Sequence, residues 1–133
     1  MLRALIVEDS PFFRQLLRET LRSHFPAMEI GEAINGQEVL QKIDTSPPDL
    51  VFVDIKLPAE SGLELTKKIK ARNPAIRVLV LTGYDFPEYR EAASRYGADH
   101  FLSKGATTKE QILSLVRTIL SEKIPSSPSG ISV

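Results

Sequence analysis

The chain contains no cysteine, so it forms no disulfide, offers no thiolate to a metal and fits a reducing compartment. It lacks an excess of either charge, since 17 basic residues offset 17 acidic ones. No segment gathers the basic face that neutralises a phosphate backbone, which argues against direct nucleic-acid binding. No apolar run approaches the roughly 20 residues of a membrane helix. Met1-Leu2-Arg3 leads into a strand-like run instead of a signal peptide. These absences predict a cytoplasmic chain with no membrane partner.

What is present suits one compact domain: 133 residues, 42% hydrophobic and 26% charged, enough to bury a core without staples. Short runs rich in Val, Ile and Leu recur between longer segments of helical spacing, the pattern of repeated βα units. The expected strands are Leu2–Val7, Glu29–Ala33, Leu50–Val53, Arg77–Leu81 and His100–Ser103. Most are apolar at consecutive positions, as parallel strands covered on both faces must be, and the mixed Glu29–Ala33 suits an edge. Helix starts are signalled by Ser10-Pro11, Asn35-Gly36, Ser61, Asp85 with Pro87, and Thr107 or Thr108. Residues 1–121 are read as the domain, and 122–133, rich in Ser and Pro, as a disordered tail or linker. Right-handed connection of five βα units gives an α/β fold, a doubly wound parallel sheet in strand order 2-1-3-4-5 of the flavodoxin-like kind.

In such sheets, ligands sit beyond the carboxyl ends of the strands. There the sequence places Glu8 and Asp9, Asp54, Thr82 and Lys104. Three carboxylates in one crevice repel each other unless a cation holds them. An all-oxygen donor set favours magnesium. Asp9 and Asp54 are the candidate direct ligands, Glu8 acts behind them or through a water, and a backbone carbonyl near Lys56 completes the protein's share. With Lys104 as a fixed cation and the Thr82 hydroxyl as a donor, the pocket suits a transferring phosphoryl group, and Asp54 can be its nucleophile.

The segments IVEDSPFFRQLL, VFVDIKLPAESGLEL, VLVLTGYDFPEY and GADHFLSKGA resemble those of two-component response-regulator receivers (CheY-like domains) from about residue 2 to about residue 121. The resemblance implies phosphorylation of Asp54 by a sensor histidine kinase or a histidine-containing phosphotransfer protein, with Glu8 and Asp9 holding magnesium. It also implies a switch in which Thr82 moves toward the phosphoryl group and Phe101 turns into the space vacated. In the family, the fourth helix, fifth strand and fifth helix form an output face, so Tyr89, Arg90, Arg95 and Phe101 are candidates for homodimer or effector contact. Two features depart from the common pattern. Lys104-Gly105 stands where Lys-Pro is frequent, an ending similar to receivers of LuxR-type (NarL-like) regulators, and Phe101 stands where Tyr is frequent. Lys56 and Tyr84 flank the path of an attacking water, and their bulk predicts a longer-lived phosphoryl group.

Plainer readings apply elsewhere. Phe13 shares a helical stripe with Leu17 and is expected in the core, leaving Phe12 half-exposed for a partner. His24 and His100 lie away from the acidic cluster, and Lys67, Lys68, Lys70 and Arg72 form a solvated face. A phosphatase of the haloacid-dehalogenase kind would place a second Asp two residues after its nucleophile, where this chain has Lys56. That argues against enzymatic turnover of external substrates. Flavodoxin-like cofactor binding would need a Gly/Ser/Thr-rich phosphate loop after the first strand, where Glu8-Asp9 would repel a phosphate. The chain is expected either to stand alone or to begin a longer regulator.

Overall fold

The computed structural model describes residues 2–123. Strands and helices alternate: β1 (Arg3–Val7), α1 (Pro11–His24), β2 (Glu29–Ala33), α2 (Gly36–Thr45), β3 (Leu50–Val53), α3 (Gly62–Arg72), β4 (Arg77–Thr82), α4 (Pro87–Arg95), β5 (His100–Ser103) and α5 (Lys109–Lys123). The five strands pair in parallel in the order β2-β1-β3-β4-β5. β1 begins one residue later than the apolar run suggests, and β4 takes in Thr82.

Alternation along the central strands sorts the core into two layers, because successive side chains point to opposite faces. Leu5, Val7, Val51, Val53, Val78 and Val80 pack with Val39, Ile43, Leu65, Ile69 and Ala93 of α2, α3 and α4. Ala4, Ile6, Leu50, Phe52, Leu79 and Leu81 pack on the other face with Leu17, Leu21, Ile112, Val116 and Ile119 of α1 and α5. β2, at the edge, is buried only at Ala33. Covering both faces leaves the strand ends as the place where polar side chains can converge.

Side chains satisfy the free amides at most helix starts. Ser10 Oγ accepts from the Phe13 N–H at 3.4 Å, Asn35 Oδ1 from Glu38 at 2.9 Å and Ser61 Oγ from Leu63 at 3.1 Å. Thr108, not Thr107, opens α5: its hydroxyl accepts from the Gln111 N–H at 3.1 Å while Gln111 Oε1 accepts from the Thr108 N–H at 2.8 Å. This is the reciprocal capping arrangement. The expected opening of α4 by Asp85 needs correcting. Phe86 occupies the cap position without a side-chain bond, and the Asp85 carboxylate, one residue before it, pairs with Arg90 at 2.8 Å. Gly97 ends this unit at φ 99°, a conformation that a side chain would strain. α5 continues through Lys123, two residues past the expected domain end, and the remainder of the expected tail lies outside the described residues.

Candidate functional site

β1 delivers Glu8 and Asp9, β3 delivers Asp54, β4 ends on Thr82 and the turn after β5 carries Lys104. The fold brings the ammonium between two carboxylates: Lys104 Nζ lies 2.7 Å from Glu8 Oε1 and 2.9 Å from Asp54 Oδ2. Glu8 is 4% and Asp54 7% exposed, while Asp9 faces solvent. Glu8 Oε2 accepts from the Ser10 N–H at 3.0 Å, so both its oxygens are engaged. Asp54 Oδ1 is buried with no hydrogen-bond partner among the described residues. A buried acceptor left in that condition costs about 1–3 kcal/mol.

Burial raises the Glu8 carboxyl above its ordinary range, with the charge of Asp54 pushing the same way, against the lowering hydrogen bonds from Lys104 and Ser10. Burial acts to lower Lys104, but its hydrogen bonds and charge interactions with Glu8 and Asp54 outweigh that and leave it raised. Lys104 is therefore a fixed cation at physiological pH. One ligand atom from each of Glu8, Asp9 and Asp54 falls within 4.8 Å of the others. With the unpartnered Asp54 oxygen, this all-oxygen set fits a small hard cation.

Thr82 is fully buried, and its hydroxyl accepts from the Tyr84 N–H at 3.2 Å, which leaves the hydroxyl hydrogen able to donate. Its carbonyl accepts from the Lys104 N–H at 2.9 Å, tying the ends of β4 and β5. Lys56 lies in the loop after Asp54, which an antiparallel bridge to Ser61 closes. Gly62 is needed there, since a Cβ would collide with the Asp54 carbonyl oxygen. Lys56 Nζ sits 5.1 Å from the centroid of the Tyr84 ring, so these two flanking residues touch each other. Phe101 is half-buried on β5, against the layer that includes Val80, with the Arg90 guanidinium 4.6 Å from its ring centroid. Phe12 is 77% exposed, and His24 and His100 stand at the other end of their elements.

Two further neighbours of the site lie on α1: Phe13, expected in the core, and Arg14. Arg14 Nη1 donates to the Glu8 carbonyl at 2.7 Å and Arg14 Nε pairs with Glu32 at 3.2 Å. The ring of Phe13 lies against Lys104. Of the expected solvated face of α3, Lys67, Lys68 and Arg72 are exposed, Lys68 pairing with Glu60 and Arg72 with Asp44, whereas Lys70 is half-buried against Asp99.

Residues 4–117 match the model of the response regulator receiver domain. The chain belongs to that family. This receiver is 35% identical over 102 residues to chemotaxis protein CheY of Halobacterium salinarum, covering 77% of this chain and 83% of CheY. It is 40% identical over 93 residues to the uncharacterized transcriptional regulatory protein YesN of Bacillus subtilis, covering 70% of this chain but 25% of YesN. The receiver thus spans about a quarter of that relative's length. Among solved structures, TrrA of Thermotoga maritima in complex with Mg(2+)-BeF superposes with a TM-score of 0.78 at 34% identity, over 90% of this chain and 99% of TrrA. No helix among the described residues is long and apolar enough to cross a membrane.

Proposed function

We propose that this receiver accepts a phosphoryl group on Asp54 from a histidine kinase or histidine-containing phosphotransfer protein, and that the modification repacks Thr82 and Phe101 to control an output. The carrying observation is a buried aspartate with one oxygen unpartnered, a lysine 2.9 Å from the other, and two further carboxylates beside it. Asp9, Asp54 and the Lys56 carbonyl would hold a magnesium ion, with Glu8 acting behind them or through a water. The ion, when bound, supplies positive charge that offsets the carboxylates and the phosphoryl oxygens.

The Asp54 carboxylate attacks phosphorus. A new P–O bond forms, the bond from phosphorus to the donor's imidazole nitrogen breaks, and its electron pair returns to that nitrogen. Lys104 then shifts its pairing from the Asp54 carboxylate to a phosphoryl oxygen. The Thr82 hydroxyl donates to another, giving up its present place at the Tyr84 amide, and Phe101 follows into the space left. Lys56 and Tyr84, in contact at the rim, slow the approach of hydrolytic water. The absence of a carboxylate two residues after Asp54 leaves no general acid for turning over external substrates, so a switch is favoured over a phosphatase. The name of YesN and the Lys104-Gly105 ending favour a transcriptional output through a domain outside these residues, with the α4-β5-α5 face pairing two receivers.

Hydroxylamine tests this chemistry, because it converts an acyl phosphate to a hydroxamate. After incubation with acetyl phosphate and magnesium, hydroxylamine trapping and peptide mapping are expected to mark Asp54. Trapping at another residue, or none in the folded protein, overturns the assignment.

A further inference from the structure

The ammonium of Lys104 meets two carboxylates and one aromatic ring. Its Nζ lies 4.2 Å from the centroid of Phe13, beside the contacts to Glu8 and Asp54. Phe13 sits in the first turn of α1, fixed there by its amide's bond to Ser10 Oγ. The ring is therefore carried on the same short segment that presents Glu8 and Asp9. Behind it, Phe13, Leu17, Phe52 and Leu81 join Glu8 and Asp54 around a void of only ≈ 10 Å³, about the room of a single water. The ring thus borders this void and also lies against the lysine.

We propose that Phe13 is a positioning residue for phosphoryl transfer, holding the Lys104 ammonium over the site through its ring face. The proposal deepens the phosphoryl-acceptor reading of Asp54 and rests on it. Both carboxylates that now hold Lys104 are candidates to take new partners, Asp54 by becoming phosphorylated and Glu8 by turning toward a cation. A lysine held only by them would be released as the charges rearrange. A ring attracts the ammonium through its quadrupole but offers no oxygen to a hard cation and carries no charge to be neutralised. Among the described residues that touch the ammonium, it is the neighbour whose hold does not depend on the state of the acidic cluster. An aliphatic side chain at position 13 would fill the same space against Leu17 without that attraction, so packing and positioning can be separated.

The test uses Phe13→Leu and Phe13→Tyr beside the parent, with three readouts: phosphorylation rate from acetyl phosphate at saturating magnesium, magnesium affinity, and the NMR shift of the Lys104 ε-protons. Protons above a ring face are shielded, so these resonances are expected upfield in the unmodified parent. In Phe13→Leu they are expected to move downfield. Its phosphorylation is expected to slow roughly 5- to 30-fold, the range that a contact of about 1–2 kcal/mol converts to, with magnesium affinity held within about twofold. Phe13→Tyr is expected to restore both shift and rate. The proposal is overturned if the parent's Lys104 protons are unshielded, if Phe13→Leu is phosphorylated as fast as the parent, or if the tyrosine variant is as slow as the leucine one. A parent that takes up no phosphoryl group would instead refute the reading of Asp54, while the shielding would still report where the ring holds Lys104.

Discussion

Removing the proposed phosphoryl acceptor should make the metal-free protein more stable. Asp54 is 7% exposed, its Oδ1 has no partner, and its charge helps raise the carboxyl of Glu8. Asp54→Ala deletes an unsatisfied buried acceptor worth about 1–3 kcal/mol. It also deletes one largely buried pairing to Lys104, but the ammonium stays compensated by Glu8 at 2.7 Å, which holds the loss to that of one hydrogen bond, about 1 kcal/mol. The net expectation is a gain of about 1 kcal/mol in EDTA. Magnesium reverses the order, because a ligand at 100 times its Kd stabilises the parent by about 2.7 kcal/mol, and the variant has lost a ligand. Urea unfolding followed by far-UV circular dichroism, with EDTA and then with magnesium, reads both numbers. An Asp54→Ala protein less stable than the parent in EDTA, or one ranked the same way in both buffers, would refute the view that function is here placed against stability.

Other consequences are open to direct measurement. Glu8 is raised, so its contribution is fully present below the ordinary carboxyl value of 4.5 and lost as pH rises through its folded value. The metal-free parent should therefore gain stability as pH falls toward 4.5, and Glu8→Gln should flatten that rise in a pH series of urea melts. Asp99 has the opposite sign. Burial alone would raise it, but its hydrogen bonds from Lys70 and the Val78 N–H, with the charges of Lys70 and Arg77, hold it below 3.8. Its contribution is present above that value and lost as pH falls through the lower folded one. The stability gap between parent and Asp99→Asn should accordingly close only in strong acid. Tyr84→Ala removes the ring under Lys56, and should shorten the phosphoryl lifetime followed by loss of the added mass. An unchanged lifetime would remove these two residues from the path of water.

The layered core was legible because it depends on local pattern. Apolar runs set β1, β3 and β4, and the mixed composition of Glu29–Ala33 marked the edge strand. The strand-end rule then named Glu8, Asp9, Asp54, Thr82 and Lys104 before any contact was known. What it could not provide was the pairing. Lys104 bridges carboxylates 96 and 50 residues away in sequence, and spacing does not say which oxygen it meets or which is left alone. Helical periodicity placed Phe13 with Leu17 on one stripe of α1, but it does not say that a ring would lie against Lys104 or that the Arg14 guanidinium would reach back six residues to the Glu8 carbonyl. The start of α4 differs for a local reason. Asp85 is a good cap by type, but the backbone puts Phe86 at the cap and the neighbouring Arg90 pairs with the Asp85 carboxylate.

The account turns on Asp54, and the mass of the intact protein tests it most directly. After incubation with acetyl phosphate and magnesium, the parent is expected to gain the mass of one phosphoryl group, with no gain in EDTA and none in Asp54→Ala. A folded parent that gains nothing, or an Asp54→Ala protein that gains as much, would contradict it.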